Sequence, residues 1–154
     1  MILNFLYSFM ACIAFSFLFN VKGKKILIAS FGGALGWVIY MFCLDIKVSV
    51  TSSIFIASII VSIYSEIMAR ISKTPAIVYS VTGIIPLVPG NGMYYTMYET
   101  ISGKLTKAGE WGFKTLMYAG AISIAIMLVS SIARLLKSGT NNYVKAIINK
   151  KCNM

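Results

Sequence analysis

Between Gly83 and Tyr95 the chain reads GIIPLVPGNGMYY, with two prolines and three glycines in thirteen residues of an otherwise apolar stretch. A proline removes a backbone donor, and its ring clashes with the carbonyl four residues back. Gly90 and Gly92 let the chain turn with no side chain in the way. In hydrocarbon the polar groups freed in this way are tolerated only where protein or a water-filled cavity meets them. Residues 86–92 are therefore expected to face protein or a cavity. Secondary transporters use such interruptions to bind solutes, because the free N–H groups and positive end of a half-helix attract an anionic group.

Here the second half-helix is expected to start near Asn91 and Gly92, with Asn91 placed to cap it. Asn91, Tyr95 and Glu99 recur every four residues, so one face offers an amide, a phenol and a carboxylate. Pro86, Pro89, Gly90, Asn91, Gly92 and Tyr95 are the candidate substrate-binding residues. A plainer reading stands beside this one. Prolines kink helices for packing alone, and Tyr94, Tyr95 and Tyr98 suit an interfacial anchor. Glu99 is either an interfacial solvated charge or a site group.

Ser58, Ser62 and Glu66 recur every four residues along another apolar run and form one polar stripe. They read as interhelical hydrogen bonding with Glu66 paired to Arg70 one turn on, or as a solute path or proton site, since an ionisable group within a span is a functional candidate. Glu66 and Glu99 are thus the candidates for proton coupling. No metal site or cofactor is expected: Cys12, Cys43 and Cys152 lack metal-ligand spacing, and there is no histidine. The missing histidine, four scattered acids and no nucleophile–base pair argue against an enzyme.

The elements that must carry these residues are set by composition. Of 154 residues 58% are hydrophobic and only 12% charged, whereas soluble domains have about 25% charged residues. The fold class is therefore an all-α polytopic membrane helix bundle of about five spans, since each needs roughly 20 apolar residues. The spans fall at 2–19, 26–44, 48–69, 77–102 and 112–136, the fourth broken at its PLVPG motif. Residues 1–137 form a single membrane domain. Residues 138–154 form a basic cytoplasmic tail, with Tyr143, Val144, Ile147 and Ile148 spaced for a membrane-surface segment. The positive cluster Lys22, Lys24 and Lys25 follows the first span, so that span is not read as a cleaved signal.

The net charge of +10 fits basic cytoplasmic loops, and no nucleic-acid-binding signature accompanies it. With the N-terminus outside, Lys22, Lys24, Lys25, Arg70, Lys73, Arg134, Lys137, Lys145, Lys150 and Lys151 lie inside, and Lys47, Lys104, Lys107 and Lys114 lie outside. The positive-inside rule favours this orientation. A re-entrant hairpin at Pro86–Gly90 would reverse the tail, so a broken but spanning helix is expected. Gly32 and Gly36 form G-x-x-x-G, which permits close helix approach. Trp111 suits an interface belt and Trp37 a packed position.

From Arg70 to Thr100 the chain resembles the threonine/serine exporter family. The resemblance is carried by Arg70, Lys73-Thr74-Pro75, the block Gly83-Ile84-Ile85-Pro86-Leu87-Val88-Pro89-Gly90, and Tyr95. Three spans, the block and a final span resemble in particular the short subunit matching the C-terminal half of full-length exporters. The resemblance implies a cell-membrane exporter of small amino acids, most of all threonine and serine, or of a dicarboxylate such as succinate in some two-subunit members. It also implies a second membrane subunit carrying the other half, and for some relatives a proton gradient as driving force. It assigns no binding residue beyond the block, and the tail after Leu136 departs from the pattern. The alternative function is a non-transporting assembly or regulatory membrane subunit.

Overall fold

A computed structural model describes residues 1–136 in full and residues 137–152 as backbone. The regular elements among the described residues are helices: α1 (Ile2–Leu18), α2 (Lys25–Asp45), α3 (Val50–Ile71), α4 (Ile77–Ile84), a 3₁₀ turn (Ile85–Leu87), α5 (Gly90–Ile101) and α6 (Leu105–Cys152). α2, α3 and the Leu105–Leu136 part of α6 are long and apolar enough to cross a membrane, while α1 and the apolar stretch Ile77–Leu87 are shorter.

The expected break in the fourth stretch takes a definite form, and one expected boundary differs. The stretch 77–102 is two helices joined by the 3₁₀ turn, an extended Val88 and Pro89. The last helix begins at Leu105, not at 112, and its backbone continues through the basic stretch to Cys152. Gly109 and Gly112 lower helix propensity there, but packing against α5 outweighs it: Thr96 Cγ2 stands 3.5 Å from where a Cβ on Gly112 would lie. The side chains expected to make a surface segment, Tyr143 to Ile148, lie outside the described residues.

Helix ends are closed internally. α3 is capped by Ser49, whose hydroxyl oxygen accepts from the Ser52 amide at 3.3 Å. At their C-termini α1, α2, α3 and α5 each end in a left-handed residue, Asn20, Lys47, Lys73 and Gly103. In each case two successive amides donate back to carbonyls of the last turn, as Lys47 N–H does to Leu44 and Val48 N–H to Cys43. These paired hydrogen bonds satisfy carbonyls that would otherwise face lipid.

α2 is the centre of the bundle, packing on α1, α3 and α4. Its glycines make the close approach possible. A Cβ on Gly32 would stand 2.6 Å from the Tyr64 ring, and one on Gly36 would collide with Val61 Cγ2. The G-x-x-x-G contact is therefore made within the chain, against α3. Tyr64 then donates its phenol to the Ile28 carbonyl at 2.9 Å. The buried set is rich in small residues, serines such as Ser16, Ser30, Ser53 and Ser58 beside Ala29, Ala34 and Ala57, whereas Ile2, Leu6, Phe17, Leu116 and Met127 are exposed. A soluble core inverts this pattern, and a bundle packed by small residues with large apolar side chains toward lipid produces it.

α3 and α6 run in the same direction. Ile54 packs with Ile122 near the start of α3, and Arg70 donates to the Ala133 carbonyl at 3.0 Å near its end. That second end carries Lys24, Lys73 and Arg134. At the opposite end, α5 and the first turns of α6 form an antiparallel pair that continues beyond the start of α3.

Candidate functional site

The helix break has a definite local chemistry. Ile85, Pro86 and Leu87 form the 3₁₀ turn, Val88 is extended, and α5 starts at Gly90. The Gly90 amide donates to Val88 O at 2.8 Å and the Met93 amide to Pro89 O at 3.2 Å. The amides of Asn91 and Gly92, between them, donate to no acceptor among the described residues. Asn91 does not cap α5, because the helix starts earlier than expected, at Gly90, with Pro89 in the capping position and no side-chain cap. The Asn91 side chain is exposed instead, in the first turn.

These residues border a cavity of about 370 Å³. Pro86, Leu87, Val88, Pro89, Gly90, Asn91 and Gly92 form one wall. The others come from Trp37 and Tyr40 of α2, Val50 and Ile54 of α3, and Trp111 and Tyr118 of α6. Among the described residues no charged side chain lines it. Leu87 is buried in the main apolar cluster with Ile54, Val61 and Ile84, and fixes the turn against α2 and α3. Trp37 packs against the same cluster and lies 5.3 Å from Tyr40, ring centre to ring centre.

Of the predicted site residues, Pro86, Pro89, Gly90, Asn91 and Gly92 are brought together on this wall. Tyr95 lies one turn further along α5 and stacks on Trp111 at 5.0 Å, so it supports the wall from behind. Lys114 Nζ stands 5.3 Å from the Trp111 ring. Glu99 is a turn beyond Tyr95. Its Oε2 is buried and has no hydrogen-bond partner. The row Asn91, Tyr95, Glu99 therefore does not converge on the cavity.

Glu66 lies elsewhere. It lines a separate apolar groove between α3 and α6 with Arg70, Ile63, Ile67, Leu128 and Ile132. The expected Glu66–Arg70 pair is not formed, since the guanidinium reaches across to α6 and donates to Ala133. Nor do Ser58 and Ser62 hydrogen-bond between helices; both hydroxyls are buried without a partner. The hydroxyls of Ser65 and Thr82 bond to carbonyls of their own helices, Val61 and Val78, as serine and threonine do when no neighbour offers an acceptor.

Trp37, Tyr40, Trp111 and Tyr118 were not predicted as wall residues. Their spacing carried a partial signal: Trp37 and Tyr40 are three apart, and Trp111 and Tyr118 are seven apart, so each pair shares a helix face.

The profile of the family described as "Threonine/Serine exporter, ThrE" matches residues 4–132 of the chain. No curated protein and no solved structure matches it. An apolar all-helical bundle with small residues inside, and a family match over most of its length, lead to one conclusion: the chain belongs to the threonine/serine exporter family and is a membrane protein of solute transport.

Proposed function

We propose that this chain is one subunit of a secondary active exporter of small carboxylate-bearing metabolites, with threonine and serine as the first substrates and a dicarboxylate such as succinate as the second. The observation that carries this reading is the cavity at the helix break. It combines two unpartnered amides, at Asn91 and Gly92, with four aromatic rings and no charged side chain. The substrate carboxylate meets the two amides at the start of α5. Its ammonium group lies against the faces of Trp37, Tyr40 and Tyr118. A dicarboxylate leaves its second anion facing those rings with no cation to meet it, which favours the zwitterionic amino acid.

In this reading the chain crosses the cytoplasmic membrane five times, by α1, α2, α3, the α4–α5 unit and α6, with residues 1–137 as the membrane domain. The N-terminus lies outside, and residues 138–154 form the cytoplasmic tail. A second membrane subunit resembling the N-terminal half of the exporter completes the path. The coupling proton falls to Glu99, whose buried, unpartnered oxygen lies on the helix that opens at the cavity; Glu66 faces away from it.

The test is threonine efflux from cells carrying Pro89→Ala or Gly90→Leu, at matched membrane abundance. A Cβ on Gly90 meets nothing within 4 Å, so the backbone there admits a side chain, and leucine places one at the cavity wall. Efflux is expected to fall by about tenfold or more, the equivalent of at least about 1.4 kcal/mol. Wild-type rates in both variants would remove the break from the mechanism.

A further inference from the structure

Tyr40 stands on α2 and Tyr118 on α6, two helices that do not pack on each other among the described residues. Both rings rest against the buried cluster that contains Ile54 and Leu87, and both border the cavity at the helix break. Ile54 and Leu87 border it too, so the phenols come to one apolar floor from two separate helices. They lie within electrostatic reach of each other. The Tyr40 ring is held by Trp37, 5.3 Å away between ring centres.

A half-buried tyrosine ordinarily finds a partner for its O–H. Tyr64 does, donating to Ile28 O at 2.9 Å. The hydroxyls of Tyr40 and Tyr118 have no hydrogen-bond partner among the described residues. They also differ from the other polar groups of the wall. The indole N–H groups of Trp37 and Trp111 and the free amides of Asn91 and Gly92 can only donate, whereas a phenol both donates and accepts. An aliphatic hydroxyl needs a neighbour of that kind, since it has a proton to give and lone pairs to fill. Asn91 is the other lining side chain able to accept, and it is exposed in the first turn of α5.

We propose that Tyr40 and Tyr118 read the side-chain hydroxyl of the exported amino acid and so select threonine over valine. This rests on the exporter reading above, with the substrate carboxylate at the two free amides. The phenol oxygens take the hydroxyl and leave the ring faces to the ammonium group. Val50 and Ile54 offer an apolar wall to the methyl group of threonine. Valine has the same shape, but it turns a methyl toward two phenols and satisfies neither. A site built to hydrogen-bond a hydroxyl rejects the analogue without it far better than an apolar pocket of the same shape does. Shape alone would leave the two amino acids nearly equal here.

The experiment uses inside-out vesicles of native membranes, so that the whole assembly is present and export is read as uptake. Uptake of labelled threonine is competed with unlabelled threonine or unlabelled valine. Selectivity is the half-inhibiting concentration of valine divided by that of threonine. The wild type is expected to give about tenfold or more. Tyr40→Phe and Tyr118→Phe each remove one oxygen and keep the ring. Each is expected to lower the ratio about three- to tenfold, the worth of one hydrogen bond. Tyr7→Phe removes a hydroxyl from the exposed face of α1 and should leave the ratio as it was.

The proposal is overturned, with the exporter reading left standing, if wild-type vesicles bind valine as well as threonine. It is equally overturned if either cavity variant keeps the wild-type ratio, loses threonine uptake outright at matched abundance, or changes the ratio no more than Tyr7→Phe does. A ring that only shaped the wall would weaken both competitors together and leave their ratio unchanged. Failure of the exporter reading itself shows differently: wild-type vesicles would take up no more threonine than vesicles lacking this chain, and the proposal would fall with it.

Discussion

Gly90 and Gly92 are two residues apart and have opposite surroundings. The first borders open space. At the second, a Cβ would collide with Thr115 Oγ1 and stand 3.3 Å from Thr115 Cβ. Gly92→Ala is therefore expected to force α5 from α6 and cost about 1–3 kcal/mol, the range for overpacking. Thermal unfolding of the purified protein measures it. Thr115→Ala removes the colliding oxygen, so the double substitution should recover most of the loss, whereas additive costs would place the strain elsewhere. At this scale the sequence was informative about what breaks a helix and uninformative about what faces the break. Pro86, Pro89 and the glycines announce themselves because their effect on the backbone is local. Trp37 and Trp111 reach the cavity through the relative rotation of separate helices, and no residue's own type encodes that. Asn91 misled for a related reason: a capping residue is recognised by its neighbours, and the cap of α5 lies two positions earlier, at Pro89.

Helices were the most legible level, since long apolar runs between basic residues fix where α2 and α3 begin and end to within about two residues. α6 was less so. Residues 105–111 fell outside the expected span of 112–136; there the helix packs against α5, a contact that residue types do not announce. The Glu66–Arg70 pairing failed for a similar reason. Residues four apart on one helix are near enough to bond, but a carbonyl on a neighbouring helix competes for the guanidinium. That competition makes Arg70 a clamp between α3 and α6. Arg70→Met is expected to destabilise the bundle by about 1.5–3 kcal/mol, the worth of a hydrogen bond from a charged group. Arg70→Lys keeps a charged donor and should retain part of that stability. Both are read from thermal unfolding. Lys47 offers a contrary case. It closes α2 at a φ of 60°, where a side chain costs about 1–2 kcal/mol. Lys47→Gly should raise the unfolding temperature, less the small favourable term a cation contributes at a helix C-terminus.

For the whole molecule, the distribution of charge bears on orientation. Lys24, Arg70, Lys73 and Arg134 gather at one end, and Lys104 and Lys107 sit at the α5–α6 turn at the other. With the first end cytoplasmic, a membrane-impermeant maleimide added to intact cells should label Lys104→Cys and spare Lys73→Cys until the membrane is opened. The reverse pattern would invert the proposed orientation. The Leu105–Leu136 part of α6 is about 48 Å long at the usual helical rise, against a hydrocarbon layer of about 30 Å. Such a helix leans or stands clear of the bilayer, and it does so with α5 attached, because among the described residues α5 packs on α6 alone. α2 has no comparable freedom: its glycine contacts leave no slack for sliding past α3. The aromatic-lined chamber thus lies where a glycine-locked α2–α3 frame meets the α5–α6 pair, joined to that frame by the proline break on one side and by the α3–α6 contact on the other.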